Sequence, residues 1–323
     1  MTRLDGASSA PEREGPVACD GPRALLLEAR EVPLGGVRGM SVHRSLPQRA
    51  LPMVGAWCFL DRFGPQTTRM RVEPHPHIGL QTVTWPFVGE VRHRDTIGSD
   101  VVVRRGVLNI MTSGAGIAHS EYSVTDDPIP LDALQLWVAL PESRRHGERD
   151  FERIADLPVV ALGGGATACV VVGEFARTAS PARMHTPIAG VEVSVPAGAR
   201  TTLPLNPGWE YAVVGIAGEP VVATPDPVAV PDLALLYLGT GRDAVEVSSD
   251  TDATVFLLGG EPFEDDIVMW WNFVGRSHEE IVEAREAWEA GTDRFGHVVG
   301  HGDERIPAPP LPGVRLTQRR RRV

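Results

Sequence analysis

From Leu25 onward the chain alternates short apolar stretches with clusters of Gly, Pro, Asn and Asp. One series runs "LLLEAREVPLGG", "QTVTWPFVGEVRHRD", "DVVVRRGVLNIMTSG" and "ALQLWVALP". A second runs "CVVVGEFA", "GVEVSVPAGARTTLPL", "EYAVVGIAG", "LALLYLG", "DAVEVSS" and "ATVFLLGG". Strand-length runs at this spacing, with no long helical period between them, predict an all-β sandwich or barrel. Two series of the same rhythm predict two such domains in tandem. The charged stretch "PESRRHGERDFERIADLP" between them reads as a connector with one helical turn. The first twenty or so residues are polar, rich in Pro and Gly and without periodicity, so disorder is expected there.

One helix is marked near the C-terminus. Ser277 followed by Glu280 gives the S-x-x-E pattern, in which side chains satisfy the first free N–H groups of a helix. Ile281, Ala284 and Trp288 then share one face, and Gly291 supplies a stop. The Gly- and Pro-rich stretch beyond it is expected to wrap the surface as an irregular tail.

Composition narrows the function classes. A chain of 323 residues, 42% hydrophobic and 23% charged, affords two ordinary globular cores. No apolar run approaches the roughly 20 residues of a bilayer crossing, and "MTRLDGASSAPEREG" lacks the apolar middle of a secretory signal, so a cytoplasmic protein with no membrane association is expected. Cys19, Cys58 and Cys169 are far apart and odd in number, which speaks against a disulfide framework or a cysteine zinc site. Cys58 is expected as a small buried apolar residue. The net charge of −11 opposes direct nucleic-acid binding. Every basic residue is arginine, and the run in "QRRRRV" is expected as a solvated tail.

The chemistry concentrates in two short segments. In "EPHPHIGLQTVTW" His75 and His77 are two residues apart, so on a strand both imidazoles face one side while Pro76 faces the other. By itself H-x-H is as well explained by a turn at a strand start. Downstream, "MTSGAGIAHSEYS" places His119 and Glu121 at the same spacing, after a Gly-rich turn at Gly114 and Gly116. The 44 residues from His75 to His119 leave room for strands that bring the two pairs together. Three imidazoles and a carboxylate would form a nitrogen and oxygen shell with two positions of an octahedron left open. That set suits Fe(II) first, with Mn, Ni, Co, Cu or Zn allowed by geometry.

These segments also carry a family resemblance. "HPHIGLQTVTWPFVGEVRHRDTIGSD", "RRGVLNIMTSGAGIAHSEYS" and "LQLWVALP" resemble the hallmark segments of the pirin family, within the cupin superfamily. "VPLGGVRGMSVHRSLP", "VGAWCFLDRFGP" and "GGEPFEDDIVMWWNFVGRSHEEI" extend the resemblance over roughly residues 25 to 290. It implies a bicupin: two antiparallel cupin β-barrels face to face, with a single metal, usually iron, in the N-terminal one. The layout expected on this basis is a disordered segment (1–22), a metal-binding cupin barrel (23–142), a connector (143–165), a cupin barrel without metal ligands (166–275), and a helix with tail (276–323). By the family pattern the ligands fall on His75, His77, His119 and Glu121; in a dioxygenase Glu121 would also be the catalytic proton acceptor, since a monodentate carboxylate can leave the metal briefly.

The resemblance implies two kinds of function. Some pirins open the central ring of quercetin with O2, which would make this chain a quercetin 2,3-dioxygenase-like oxidoreductase acting on a small aromatic substrate. Others resemble metal-dependent redox regulators that bind a protein partner, and the acidic balance here would favour a basic one. A monomer is expected in either case. Two positions depart from the pattern: many pirins read HPHRGFE where this chain has Ile78 and Gln81. His93 and Asp95, in the family's HRD segment, are expected to end a strand and open a turn without touching the metal. Of the apolar neighbours Ile78, Leu80, Trp85 and Ile117, periodicity does not say which line a pocket and which pack the barrel. Met269 to Val274, aromatic and apolar, are expected to pack against the second barrel in preference to stacking on a ligand. The remaining histidines, His43, His146, His185, His278, His297 and His301, are expected at the surface or as satisfied core residues.

Overall fold

The computed structural model describes residues 21–33 and 40–318. The disorder expected of the first twenty residues, and the arginine run at 319–322, lie outside the described residues. Within them the all-β, two-domain expectation holds.

The first half of the chain supplies β1 (Pro22–Leu27), β2 (Arg30–Pro33), β3 (Ser41–Leu46) and β4 (Trp57–Thr68). It continues with β5 (Arg71–His77), β6 (Leu80–Val88), β7 (Glu90–Asp95) and β8 (Asp100–Arg104). β9 (Leu108–Thr112), β10 (Ile117–Ser123), β11 (Ile129–Ala139) and β12 (Asp150–Ile154) complete it. A seven-stranded sheet runs β12-β9-β6-β11-β4-β3-β2, and a four-stranded sheet runs β5-β10-β7-β8. Val42, Phe63, Leu131 and Ala133 of the larger sheet pack against Met70, Val72 and Val91 on the side of the smaller one.

The second half begins with β13 (Val159–Ala161), β14 (Thr167–Phe175), β15 (Thr178–Ala179) and β16 (Ile188–Val195). It goes on through β17 (Ala199–Pro204), β18 (Glu210–Ala217), β19 (Val221–Ala223) and β20 (Val228–Ala229). β21 (Leu235–Gly239), β22 (Ala244–Ser249) and β23 (Ala253–Gly260) close the series. Here too a large sheet, β1-β21-β18-β23-β16-β14-β13, accompanies a small one, β17-β22-β19-β20. Neither strand order closes on itself, so each half is a two-sheet sandwich of cupin type rather than a closed barrel among the described residues. The interior of the second sandwich is filled by Val191, Val193, Val213, Leu236, Val255 and Leu257 against Leu203, Val245 and Val247.

Strand pairing distributes the chain differently from the expected boundaries at two places. β1 pairs antiparallel with β21, Leu25 opposite Tyr237, and so belongs to the second large sheet although it falls at the start of the expected first domain. The expected connector contains β12, which joins the first sheet through Phe151 opposite Met111, and β13, which joins the second. The β1–β21 and β12–β9 pairings span long sequence separations, which local pattern does not encode, whereas β13 and β14 form a local hairpin.

The two large sheets share one core. Leu60, Val83, Trp85, Leu108 and Leu136 from the first half pack with Val171, Ala212, Leu235, Tyr237 and Phe256 from the second. Trp57 crosses this boundary, its fully buried indole N–H lying 3.2 Å from the carbonyl of Ala189 and 3.1 Å from that of Gly259.

After the second sandwich the chain returns to the first. A hairpin of β24 (Val268–Trp270) and β25 (Phe273–Gly275) leads into α1 (His278–Glu289). Met269 and Val274 pack with Met53, Cys58, Phe59, Leu80 and Trp137 of the first half, and the Val274 N–H donates to the Ile78 carbonyl at 3.1 Å. The expected packing of this segment against the second domain is therefore corrected. Gly79 explains the close approach: its φ of 69° is in the left-handed region, and a Cβ there would collide with the Val274 carbonyl. Cys58 is buried, as expected.

α1 begins as expected. The Ser277 hydroxyl accepts from the Glu280 N–H at 3.2 Å, while the Glu280 carboxylate reaches back to the Arg276 N–H at 2.7 Å. Ile281, Ala284 and Trp288 are its buried face. No helix among the described residues is long and apolar enough to cross a membrane.

Candidate metal centre

β5 and β10 are hydrogen-bonded neighbours, with His75 directly opposite His119. Because side chains alternate, His75, His77, His119 and Glu121 all turn into the space between the two sheets of the first half, and all four line one cavity of about 640 Å³. The opposite faces of the same strands are covered as well. Ala118 packs under α1 and the tail with Phe273 and Trp288, and the Ser120 hydroxyl lies 2.9 Å from Nε2 of His301. His301 is thus a satisfied core histidine. Its Nδ1 is 3.2 Å from the Tyr122 hydroxyl, which in turn donates to Glu73.

The three histidines form a group in which one ring nitrogen from each lies within 4.8 Å of the others, and all three residues are buried. Nδ1 of His75 is 2.9 Å from the Glu73 carbonyl. A carbonyl only accepts, so Nδ1 carries the proton and Nε2 keeps its lone pair. Nε2 of His77 and Nε2 of His119 are 3.0 Å apart. Two adjacent nitrogens of an octahedron, each about 2.1 Å from the ion, are separated by about 3.0 Å. The residues present therefore fit a metal ion: three converging imidazoles, buried, with the tautomer of one already set for ligation.

Electrostatics point the same way. Burial pushes the His75 imidazole down to about 4, and burial with the neighbouring rings holds His77 and His119 well below the usual histidine range. All three are neutral at physiological pH, so a metal need displace no proton from them. Glu121 is shifted upward, to about 7, by burial. It lines the cavity but is not part of the three-histidine group.

Part of the cavity wall came from places the sequence did not single out, and part from Met269 to Val274, where packing rather than ligand stacking was expected. Phe59 and Trp137, on adjacent strands of the large sheet, stack with ring centroids 3.9 Å apart and planes 13° from parallel. The Arg44 guanidinium lies 4.6 Å from the Phe59 centroid and makes two hydrogen bonds to Asp61, at 2.8 and 2.7 Å. Met269 and Trp271 close another side from the returning hairpin. Ile78, Leu80, Trp85 and Ile117 do not contribute: Ile78 packs beneath α1, Leu80 beside Cys58, and Trp85 between the two halves. Gln81 also points elsewhere, its amide donating to Thr112 at 2.9 Å and to the Arg183 carbonyl at 3.0 Å. The two departures from the family pattern thus fall on side chains outside the cavity.

His93 and Asp95 do open a turn, as expected: the Asp95 carboxylate accepts the N–H groups of Ile97 and Ser99, both at 3.0 Å. Sequence reasoning missed a second feature. Nδ1 of His93 lies 3.2 Å from Nδ1 of His119. The signal was available, since His93 and Asp95 repeat the period-two spacing of the other pairs and the burial of β7 alternates accordingly.

Comparison with known proteins agrees with this architecture. Residues 39–138 match the Pirin family and residues 190–296 the Pirin C-terminal cupin domain. A Pseudomonas aeruginosa protein named "Putative quercetin 2,3-dioxygenase PA1205" is 42% identical over 288 residues, 88% of this chain and 89% of that one. A pirin-like protein of Caulobacter vibrioides is 33% identical over 301 residues, 88% of this chain and 99% of that one. Among solved structures, a quercetin 2,3-dioxygenase from Acinetobacter baumannii superposes with a TM-score of 0.85 at 38% identity, covering 91% of this chain and 97% of that one. Two cupin sandwiches back to back, one hollow and carrying three convergent histidines, the other filled, together with these matches, show that the chain belongs to the pirin family.

Proposed function

We propose that this protein is a metal-dependent dioxygenase that opens the ring of quercetin-type flavonols with O2, and that its metal is Fe(II) held by His75, His77, His119 and Glu121. The observation that carries the proposal is the convergence of the three buried histidines on a cavity large enough for a small molecule and walled by stacked aromatic rings. The names of the relatives from P. aeruginosa and A. baumannii support the same reading. The bound ion would act as a Lewis acid and template that orients substrate and O2.

The chain's own residues would do the rest. Phe59 and Trp137 offer a flat wall for a planar ring system, and Met269 and Trp271 exclude water from it. Glu121, by leaving the metal briefly, would take the hydroxyl proton of a flavonol on its carboxylate oxygen and return it after ring opening.

Anaerobic purification with elemental analysis, then O2 uptake with quercetin, tests the proposal on wild type and His119→Ala. About one iron per chain, with uptake lost in the variant, is expected. Iron without uptake would replace the quercetin dioxygenase by the metal-dependent regulator or by an enzyme of another substrate. No bound metal after reconstitution with Fe(II) would overturn the site itself.

A further inference from the structure

The contact between His93 and His119 belongs to a longer chain of buried hydrogen bonds. Nδ1 of His119 is 3.2 Å from Nδ1 of His93, and Nε2 of His93 is 3.1 Å from Oδ2 of Asp95. The other carboxylate oxygen, Oδ1, takes the Ile97 and Ser99 N–H groups. All three side chains are buried, and the His93 ring is stacked on Phe151 of β12 at 4.7 Å. β7 lies beside β10, with Asp95 opposite His119 and His93 opposite Glu121.

The direction of each bond follows from chemistry. A carboxylate only accepts, so Oδ2 takes a proton donor, the Nε2–H of His93. With Nε2 of His119 on the metal, its proton lies on Nδ1, which can then only donate, so Nδ1 of His93 accepts it. Acceptance at Nδ1 and donation from Nε2 to Asp95 make His93 the partner that favours the His119 tautomer with the lone pair of Nε2 turned to the cavity. We infer that His93 and Asp95 are positioning residues, which set the tautomer and ring orientation of His119 for metal binding. The inference rests on the reading of His119 as a metal ligand. Outer partners of this kind hold metal-binding histidines in other sites, usually through one carboxylate or carbonyl. Here a second imidazole is interposed.

Asp95→Asn separates this role from a merely structural one. The asparagine oxygen still accepts the two turn N–H groups, but its NH2 now faces Nε2 of His93. His93 must then place its proton on Nδ1, against the Nδ1–H of His119, and two donors confront each other. Co(II) serves as the probe, because its visible absorption reports ligand geometry and its titration reports affinity. Asp95→Asn is expected to weaken Co(II) binding about 10- to 100-fold and to alter the absorption band.

His93→Phe keeps the stacking on Phe151 and removes the intermediary, and it is expected to weaken binding to a similar extent. In the double variant Asp95→Asn adds no further loss, because the relay is already broken. A purely structural contribution of Asp95 to its turn would instead cost the same in both backgrounds. Additive losses, or affinity within twofold of wild type in Asp95→Asn, overturn the relay. Should Asp95→Asn not fold, His93→Phe alone decides, since it leaves the Asp95 turn intact: wild-type Co(II) affinity and spectrum overturn the relay. Failure of the wild type to bind Co(II) is a different result and overturns the metal site.

Discussion

His119 stands directly opposite His75 across the β5–β10 ladder, whereas Glu121, two residues further on, stands opposite Val72. β5 therefore uses three residues where β10 uses two, which is a β-bulge around Glu73 and Pro74. A bulge next to a cluster of functional side chains re-aims them without changing the sheet. Pro74 suits the place, having no N–H for the ladder, and its carbonyl accepts instead from the Ile306 N–H of the tail at 2.8 Å.

The buried carboxylate has a cost that can be measured. The Glu121 carboxyl is raised to about 7, so the folded chain holds a proton there that the unfolded chain releases near 4.5. For such a group stability is undiminished below pH 4.5 and falls as pH rises towards 7. Glu121→Gln has no charge to bury. With metal removed by chelator, the variant is expected to be more stable than wild type by roughly 1–3 kcal/mol at pH 8 and about equal at pH 4.5. Urea denaturation at the two pH values checks this, and equal stability at pH 8 would refute the burial of a charged Glu121.

The histidines act in the opposite sense. Their folded-state values lie below the usual 6.5, down to about 4 for His75. The unfolded chain thus binds protons that the folded rings refuse, and stability present above pH 6.5 is lost as pH falls towards 4. Three histidines against one glutamate leave a net uptake of about two protons on unfolding between pH 6 and 5. The urea midpoint of the metal-free protein is expected to fall steeply across that interval, and His119→Gln to flatten the slope. A midpoint independent of pH would contradict it.

Gly79 is the tightest point between the histidine strand and the returning hairpin. Its positive φ and the Val274 carbonyl beside it leave no space for a methyl group. Gly79→Ala is expected to destabilise the protein by roughly 2–4 kcal/mol, since strain and backbone displacement add. Thermal melts would show it as a large fall in Tm, and a Tm within a degree of wild type would mean that the hairpin is not held there.

Trp271 lines the cavity from the hairpin. If a planar substrate docks in the cavity, Trp271→Leu should raise KM for quercetin about tenfold while iron content and kcat stay near wild type. An unchanged KM would place the substrate elsewhere.

Local pattern made the strands and both candidate pairs legible, because a period of two is written within a few residues and needs no knowledge of the partner strand. The same locality hid the cavity wall. Phe59, Trp137, Met269 and Trp271 come from three distant segments, and their apolar character is indistinguishable in sequence from that of Ile78 or Trp85, which pack elsewhere. The placement of β1 in the second sheet was illegible for the same reason, as its partner β21 lies some two hundred residues away. His93 and Asp95 show the intermediate case. Their turn was foreseen, but the contact with His119 depended on which strand lies beside β10.

Trp57 and the core shared by the two halves carry a consequence for cooperativity. A fully buried indole that binds two carbonyls of the neighbouring half, within a shared core, is expected to make the two sandwiches unfold as one unit. Occupancy of the first half by a metal should therefore slow amide hydrogen exchange in β16 and β23, although neither strand lines the cavity. The filled half becomes a remote reporter of the state of the hollow one, through the energy needed to open both at once.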